Sequence, residues 1–137
     1  MTIKVEKIKQ FSVFLPNKPG VLSRLYSLFA QRGIGILGIS SEMSDDSGLV
    51  RLALPKDADG SGVLSKAGLS SVEASVLLIE VEDHTDQLLR TVEALSAGKI
   101  NITTVYGTSA PNARTARMIL AVENTDKALG VLQALQG

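Results

Sequence analysis

The chain has 137 residues, 45% hydrophobic and 20% charged, an ordinary globular composition long enough for one domain or two very small ones. Fourteen Lys and Arg balance fourteen Asp and Glu, leaving no net positive charge with which to release counterions from a nucleic acid. The absence of cysteine excludes disulfides, thiolate nucleophiles and zinc–thiolate sites, and with a single histidine, His84, no multi-histidine metal site can form and a catalytic triad could form only there.

No apolar run reaches the ~18 residues of a membrane-spanning helix. Met1 to Lys9 is charged throughout and lacks the apolar core of a secretory signal, so a soluble cytoplasmic protein is expected. Val5 to Leu15 alternates, with Phe11, Val13 and Leu15 on one face, and reads as a strand. Pro16-Asn17-Lys18-Pro19-Gly20 stops it, because two prolines deny the ladder its donors and glycine permits a sharp turn. Val21, Leu22, Leu25, Leu28 and Phe29 then form the apolar stripe of a helix that Arg32-Gly33 ends.

Ile34 to Met43 reads as a strand whose alternation slips between Ile36 and Leu37, the signature of a bulge. Ser44-Asp45-Asp46-Ser47-Gly48 closes a hairpin onto Leu49 to Leu54. Pro55 to Gly62 is loop and helix start, with Asp57 or Asp59 as cap, and a short helix through Val63, Leu64 and Ala67 stops at Gly68. Ser71 to Glu82 is a strand apolar on both faces, hence central in its sheet.

The order then repeats. Leu88, Leu89, Val92 and Leu95 stripe a helix that ends near Gly98; Ile100 to Tyr106 is a strand; Gly107 to Arg114 is a loop; Ala116 to Val122 is a strand. Ala128, Val131, Leu132 and Leu135 stripe a last helix. Ile34-Gly35-Ile36 matches Ile100-Asn101-Ile102 and Val63-Leu64 matches Val131-Leu132, an offset of roughly 66 to 68 residues, as an internal duplication would give. Each half reads β-α-β-β-α. Either one long strand over residues 71–82 serves both sheets or two short ones abut, and no closing strand follows the last helix. Helices on one sheet face leave the other for water or a partner, and self-association covers it most simply.

The turn at 16–22 carries the chemistry. Gly20 lets a ligand approach the backbone, and the first helical amides, unpaired and at the positive end of the dipole, suit a carboxylate. The plainer alternative is a capped turn in which Asn17 serves only the fold. Asp83, His84 and Asp86 read better as a loop that caps the following helix through Thr85 or Asp86 than as metal ligands, and Asp45-Asp46 as hairpin residues. Nothing supplies an activated nucleophile or an acid–base pair beyond His84.

A strand followed by Asn-x-Pro-Gly-Val-Leu, a striped helix, Arg-Gly-Ile-x-Ile and a hairpin resembles the ACT domain, a regulatory module that binds amino acids. The likeness runs from Phe11 to Leu54 and returns at Lys99 to Ile102 and Asn124 to Leu135. It implies an α+β fold of two ferredoxin-like βαββαβ units in tandem, with antiparallel sheets, helices on one face and a second unit lacking its last strand. The first unit would occupy 1–70 with its closing strand within 71–77, and the second 71–137. In the family, paired domains join edge to edge into an eight-stranded sheet and hold the amino acid at their interface.

By that resemblance the site combines Asn17, Lys18, Pro19, Gly20, Val21 and Leu22 with Ile100, Asn101 and Ile102, because the first unit has Gly35 where the family often has asparagine and the second has Asn101. The acidic Glu82 to Asp86 loop would repel a second carboxylate, so one site per chain is expected. The resemblance implies a non-catalytic sensor of a small amino acid, homodimeric, without cofactor or metal. Its alternatives are a regulatory subunit of an amino-acid biosynthetic enzyme, like the small subunit of acetohydroxyacid synthase, and a ligand-free dimerisation module.

Overall fold

The computed structural model describes residues 3–82, 84–108 and 115–135. They form, in chain order, β1 (Ile3–Pro16), α1 (Val21–Ala30), β2 (Gly38–Ser44), β3 (Ser47–Leu54), α2 (Gly60–Lys66), β4 (Ser71–Glu82), α3 (His84–Ala97), β5 (Ile102–Thr108), β6 (Thr115–Val122) and α4 (Thr125–Leu135). No helix among them is long and apolar enough to cross a membrane.

Two compact units result, and the division is not a single cut in the chain. The N-terminal unit is Ile8–Ala74; the C-terminal unit is Ser75–Gly137 together with Met1–Lys7. In the N-terminal unit the strands run β2-β3-β1, with the first residues of β4 beside β1, where Phe14 N–H donates to Ser70 O at 3.3 Å. β1 and β3 pair antiparallel with Phe11 opposite Leu52 and Val13 opposite Val50, so alternate residues of both strands enter one core. Leu25 and Phe29 of α1 and Val63 and Leu64 of α2 close that core over the sheet. Burying a Phe or Leu side chain this fully stabilises by about 1.5–3 kcal/mol.

The C-terminal unit repeats the plan as β5-β6-β4, with the first residues of β1 beside β4. Leu77 lies opposite Leu120 and Ile79 opposite Met118. Leu95, Ala128 and Leu132 of the two helices pack on Leu77, Ile79 and Val81, and Ile3 joins the same core with Val5 against it. Thus no strand follows α4 among the described residues, as expected, and residues 3–7 take the place beside β4 that a closing strand would fill. The long strand over 71–82 is one element serving both units, and so is β1. That sharing is why the described residues make six strands rather than the eight implied by the family's paired sheets.

Strand β4 carries buried apolar residues on both faces, from Val76 to Ile79, as a strand with neighbours on either side should. The stretch over 34–37 is not strand, although Leu37 N–H already donates to Ala53 O of β3 at 2.8 Å. Ile34 N–H closes the end of α1 on Phe29 O, and β2 begins only at Gly38. The irregularity foreseen at Ile36–Leu37 is found in the second repeat instead, between Ile102 and Thr104 of β5. Gly107 and Thr108, read as loop, complete β5; the remainder of that loop lies outside the described residues.

Candidate functional site

Strand β1 ends at Pro16, which has no N–H to offer, and the chain turns through Asn17, Lys18 and Pro19. Asn17 fastens this turn to the hairpin between β2 and β3: its N–H donates to Asp46 O at 3.0 Å and its Nδ2 to Asp45 O at 3.0 Å. Asp45 and Asp46 form the two-residue hairpin loop, Asp45 at a φ of +53°. Their carbonyls therefore serve the turn, in agreement with a hairpin role. Asn17 Oδ1 has no partner among the described residues.

Gly20 stands at the helix N-cap with φ +86°, a conformation that leaves an L side chain strained and glycine not. No side chain caps the helix there. Val21 N–H reaches back to Lys18 O at 3.4 Å and Arg24 N–H opens the intrahelical ladder on Gly20 O at 3.1 Å. Between them the N–H groups of Leu22 and Ser23 have no acceptor among the described residues. The starts of α2 and α4 differ. Asp59 Oδ1 accepts from Gly62 N–H at 3.0 Å at the head of α2, and Asn124 Oδ1 from Lys127 N–H at 3.1 Å at the head of α4. Of the two candidate caps in the first repeat, Asp59 is the one used. At α1 the positive dipole end is thus left open, beside the exposed Lys18, and can accept an anion. Val21 and Leu22 are half-buried against the core of this unit.

The second group of candidate residues belongs to the C-terminal unit. Ile100 is buried in its core, and Ile102 packs against that core half-buried. Asn101, exposed between them, is tied to the end of β6: its carbonyl accepts from Glu123 N–H at 3.2 Å, and its Nδ2 donates to Glu123 Oε1 at 3.3 Å. Sequence reasoning passed over Glu123, which stands 22 residues away with no local pattern to mark it. The nine residues thus lie in two groups, 17–22 in one unit and 100–102 in the other. Asp83 lies outside the described residues, and His84 is the first residue of α3.

A shallow recess of about 470 Å³ opens at the hairpin end of the N-terminal unit, bounded by Phe14, Pro16, Glu42 and Leu49. It is mostly apolar in its walls and shares Pro16 with the start of the turn.

The family model described as ACT domain pair matches residues 6–136. No curated protein matches in sequence. Among solved structures, protein BT0572 from Bacteroides thetaiotaomicron is similar with a TM-score of 0.83 and 22% identity, covering 96% of this chain and 90% of that one. The ligand-free regulatory subunit of aspartate kinase from Thermus thermophilus has a TM-score of 0.71 at 14% identity, covering 96% of this chain and 95% of its own. Aspartate kinase from Clostridium acetobutylicum has a TM-score of 0.64 at 12% identity, with 98% of this chain matched to 34% of the enzyme.

Proposed function

Because the chain belongs to the ACT domain pair family, we propose that it is a non-catalytic regulatory protein that binds a small amino acid and associates with itself. Ligand favours one arrangement of the protein over another, and a partner reads the difference. The amino acid's carboxylate sits at the head of α1, on the N–H groups of Leu22 and Ser23, with Gly20 allowing close approach and Asn17, Lys18 and Pro19 shaping the turn. The observation that carries this reading is the contrast among helix starts: side chains cap α2 and α4, while α1 begins at a left-handed glycine with its amides open. Asn101, flanked by Ile100 and Ile102, is the second segment assigned to the ligand.

A thermal-shift screen of the twenty amino acids, followed by calorimetry on the best, tests it. One site per chain is expected, lost in Asn17→Ala and in Asn101→Ala. If no amino acid shifts the melting temperature, the sensor reading fails; if Asn101→Ala binds normally, the second segment is removed from the site.

A second reading has this protein as the regulatory subunit of an amino-acid biosynthetic enzyme. What favours it is that a regulatory subunit of aspartate kinase has a similar fold, matched over 95% of its length. Stable co-purification with a larger enzyme supports this reading.

A further inference from the structure

The two repeats carry different chemistry on the sheet face away from their helices. Strands β1 and β4 end at Pro16 and Glu82, and β3 and β6 end at Leu54 and Val122, so Phe14 and Leu49 of the first repeat correspond to Glu80 and Arg117 of the second. Each pair is directly cross-strand, Phe14 opposite Leu49 and Glu80 opposite Arg117. In the second repeat the pair is an ion pair, Arg117 Nη2 to Glu80 Oε1 at 3.0 Å, both side chains partly open to water. The backbone at this position therefore accommodates charge facing solvent. In the first repeat the same position holds Phe14, 55% exposed, although its neighbours Phe11, Val13 and Leu15 are buried on the opposite, helix-covered face. Folding does not require an aromatic ring there.

We propose that the Phe14–Leu49 face of the N-terminal unit is the surface on which a second copy of this chain docks. The proposal rests on the self-association in the reading above and names its surface. Charge selects the partner. Next to Phe14 and Leu49 the face bears one cation and one anion, Arg51 and Glu42, with Arg51 Nη1 and Glu42 Oε1 at 3.1 Å. The face is neutral and has no sign to attract an acidic or basic partner, but it is complementary to itself: a twofold contact can set cation against anion across the interface while burying two aromatic rings. The recess of about 470 Å³ beside Phe14 and Leu49 gives an incoming side chain a place to sit. Apart from Arg51 and Glu42, serine and glycine fill the neighbouring positions of β2 and β3 on this face, Ser40, Ser44, Ser47 and Gly38, which leaves room for close approach.

The test is made without ligand: light scattering after gel filtration, and analytical ultracentrifugation over a concentration series, on the full chain without added amino acid. The wild type is expected to be a dimer. Phe14→Glu raises its dissociation constant by at least ~30-fold, as truncation of an aromatic anchor does. The double variant Phe14→Glu with Leu49→Arg copies the ion pair of the second repeat, and is expected to melt as a folded, monomeric protein. Val105→Glu, at a site 57% exposed in the other unit, leaves the dimer intact. A monomeric wild type overturns both the self-association and its surface. A dimer that survives in the folded double variant, or that Val105→Glu dissociates, overturns the surface alone; saturable uptake of a small ligand on the recess by a monomer also overturns it.

Discussion

Gly33 and Lys99 occupy the same place in the two repeats and adopt the same left-handed backbone, with φ of +66° and +60°. Each ends its helix in the same way. Gly33 N–H donates to Ala30 O at 3.1 Å and Ile34 N–H to Phe29 O at 3.0 Å; Lys99 N–H donates to Ser96 O at 2.9 Å and Ile100 N–H to Leu95 O at 2.9 Å. The last carbonyls of both helices are satisfied by this cap, and the following isoleucine is turned back toward the core. Only the second repeat places a side chain where glycine is at ease.

Lys99→Gly is therefore expected to stabilise the protein, by about 0.5–1 kcal/mol, and Gly33→Lys to destabilise it by about 1 kcal/mol. A Cβ at Gly33 would meet nothing within 4 Å, so the loss would come from backbone strain alone. Urea denaturation of the two variants should give shifts of opposite sign.

The head of α2 is packed too closely for a methyl group. A Cβ on Gly60 would lie 2.5 Å from a Phe11 ring carbon and 2.7 Å from a Leu54 methyl carbon, both in the core. Gly60→Ala should cost about 1–3 kcal/mol by overpacking, while Gly35→Ala, with nothing within 4 Å, should cost little. Thermal melts of both variants side by side make the comparison.

Gly107 answers Met118 across the β5–β6 ladder, where the first repeat pairs Ser41 with Val50. A Cβ on Gly107 would run into Arg117 O, a backbone atom that cannot swing aside, and lie 3.1 Å from the Met118 side chain. Gly107→Ala is expected to destabilise by about 2 kcal/mol or more and to disturb the β5 edge. Amide hydrogen exchange localised to Ile102–Thr108 and Thr115–Val122 would report it; unchanged protection would show that the edge can yield.

Side-chain caps at α2 and α4 should be worth about 1 kcal/mol each, so Asp59→Ala and Asn124→Ala lower stability by that amount. At α1 the corresponding exchange, Gly20→Ala, acts through φ +86°, since a Cβ there meets nothing within 4 Å. It should cost about 1 kcal/mol and also weaken amino-acid binding at the head of α1, which calorimetry would detect. Equal affinity in Gly20→Ala and wild type would remove that backbone conformation from the account.

Periodicity and turn chemistry made the helices, the hairpin and the duplication readable, because each depends on residues within a few positions of one another. Val21 to Phe29 marks a helix face, Asp45-Asp46 a hairpin loop, and Arg32-Gly33 a helix end whose arginine does donate from Nη1 to Leu28 O at 2.9 Å. The stretch over 34–37 departs from its strand-like pattern for the converse reason. Ile34 and Ile36 alternate as strand residues do, but the helix cap claims Ile34 N–H before a ladder can form. The candidate turn was legible as a turn; that Asn17 spends its Nδ2 on Asp45 O, 28 residues on, was not.

Local pattern alone determined that this chain is a doubled β-α-β-β-α unit with a glycine-led helix start after its first strand. Tertiary structure decided how the two long strands are shared: β1 gives residues 3–7 to the C-terminal unit, and β4 gives residues 71–74 to the N-terminal one. A strand's own residues set its extended form and the faces it buries, but its neighbours are chosen by hydrogen bonds and packing between residues far apart in the chain, and no short window of sequence contains both sides of that choice.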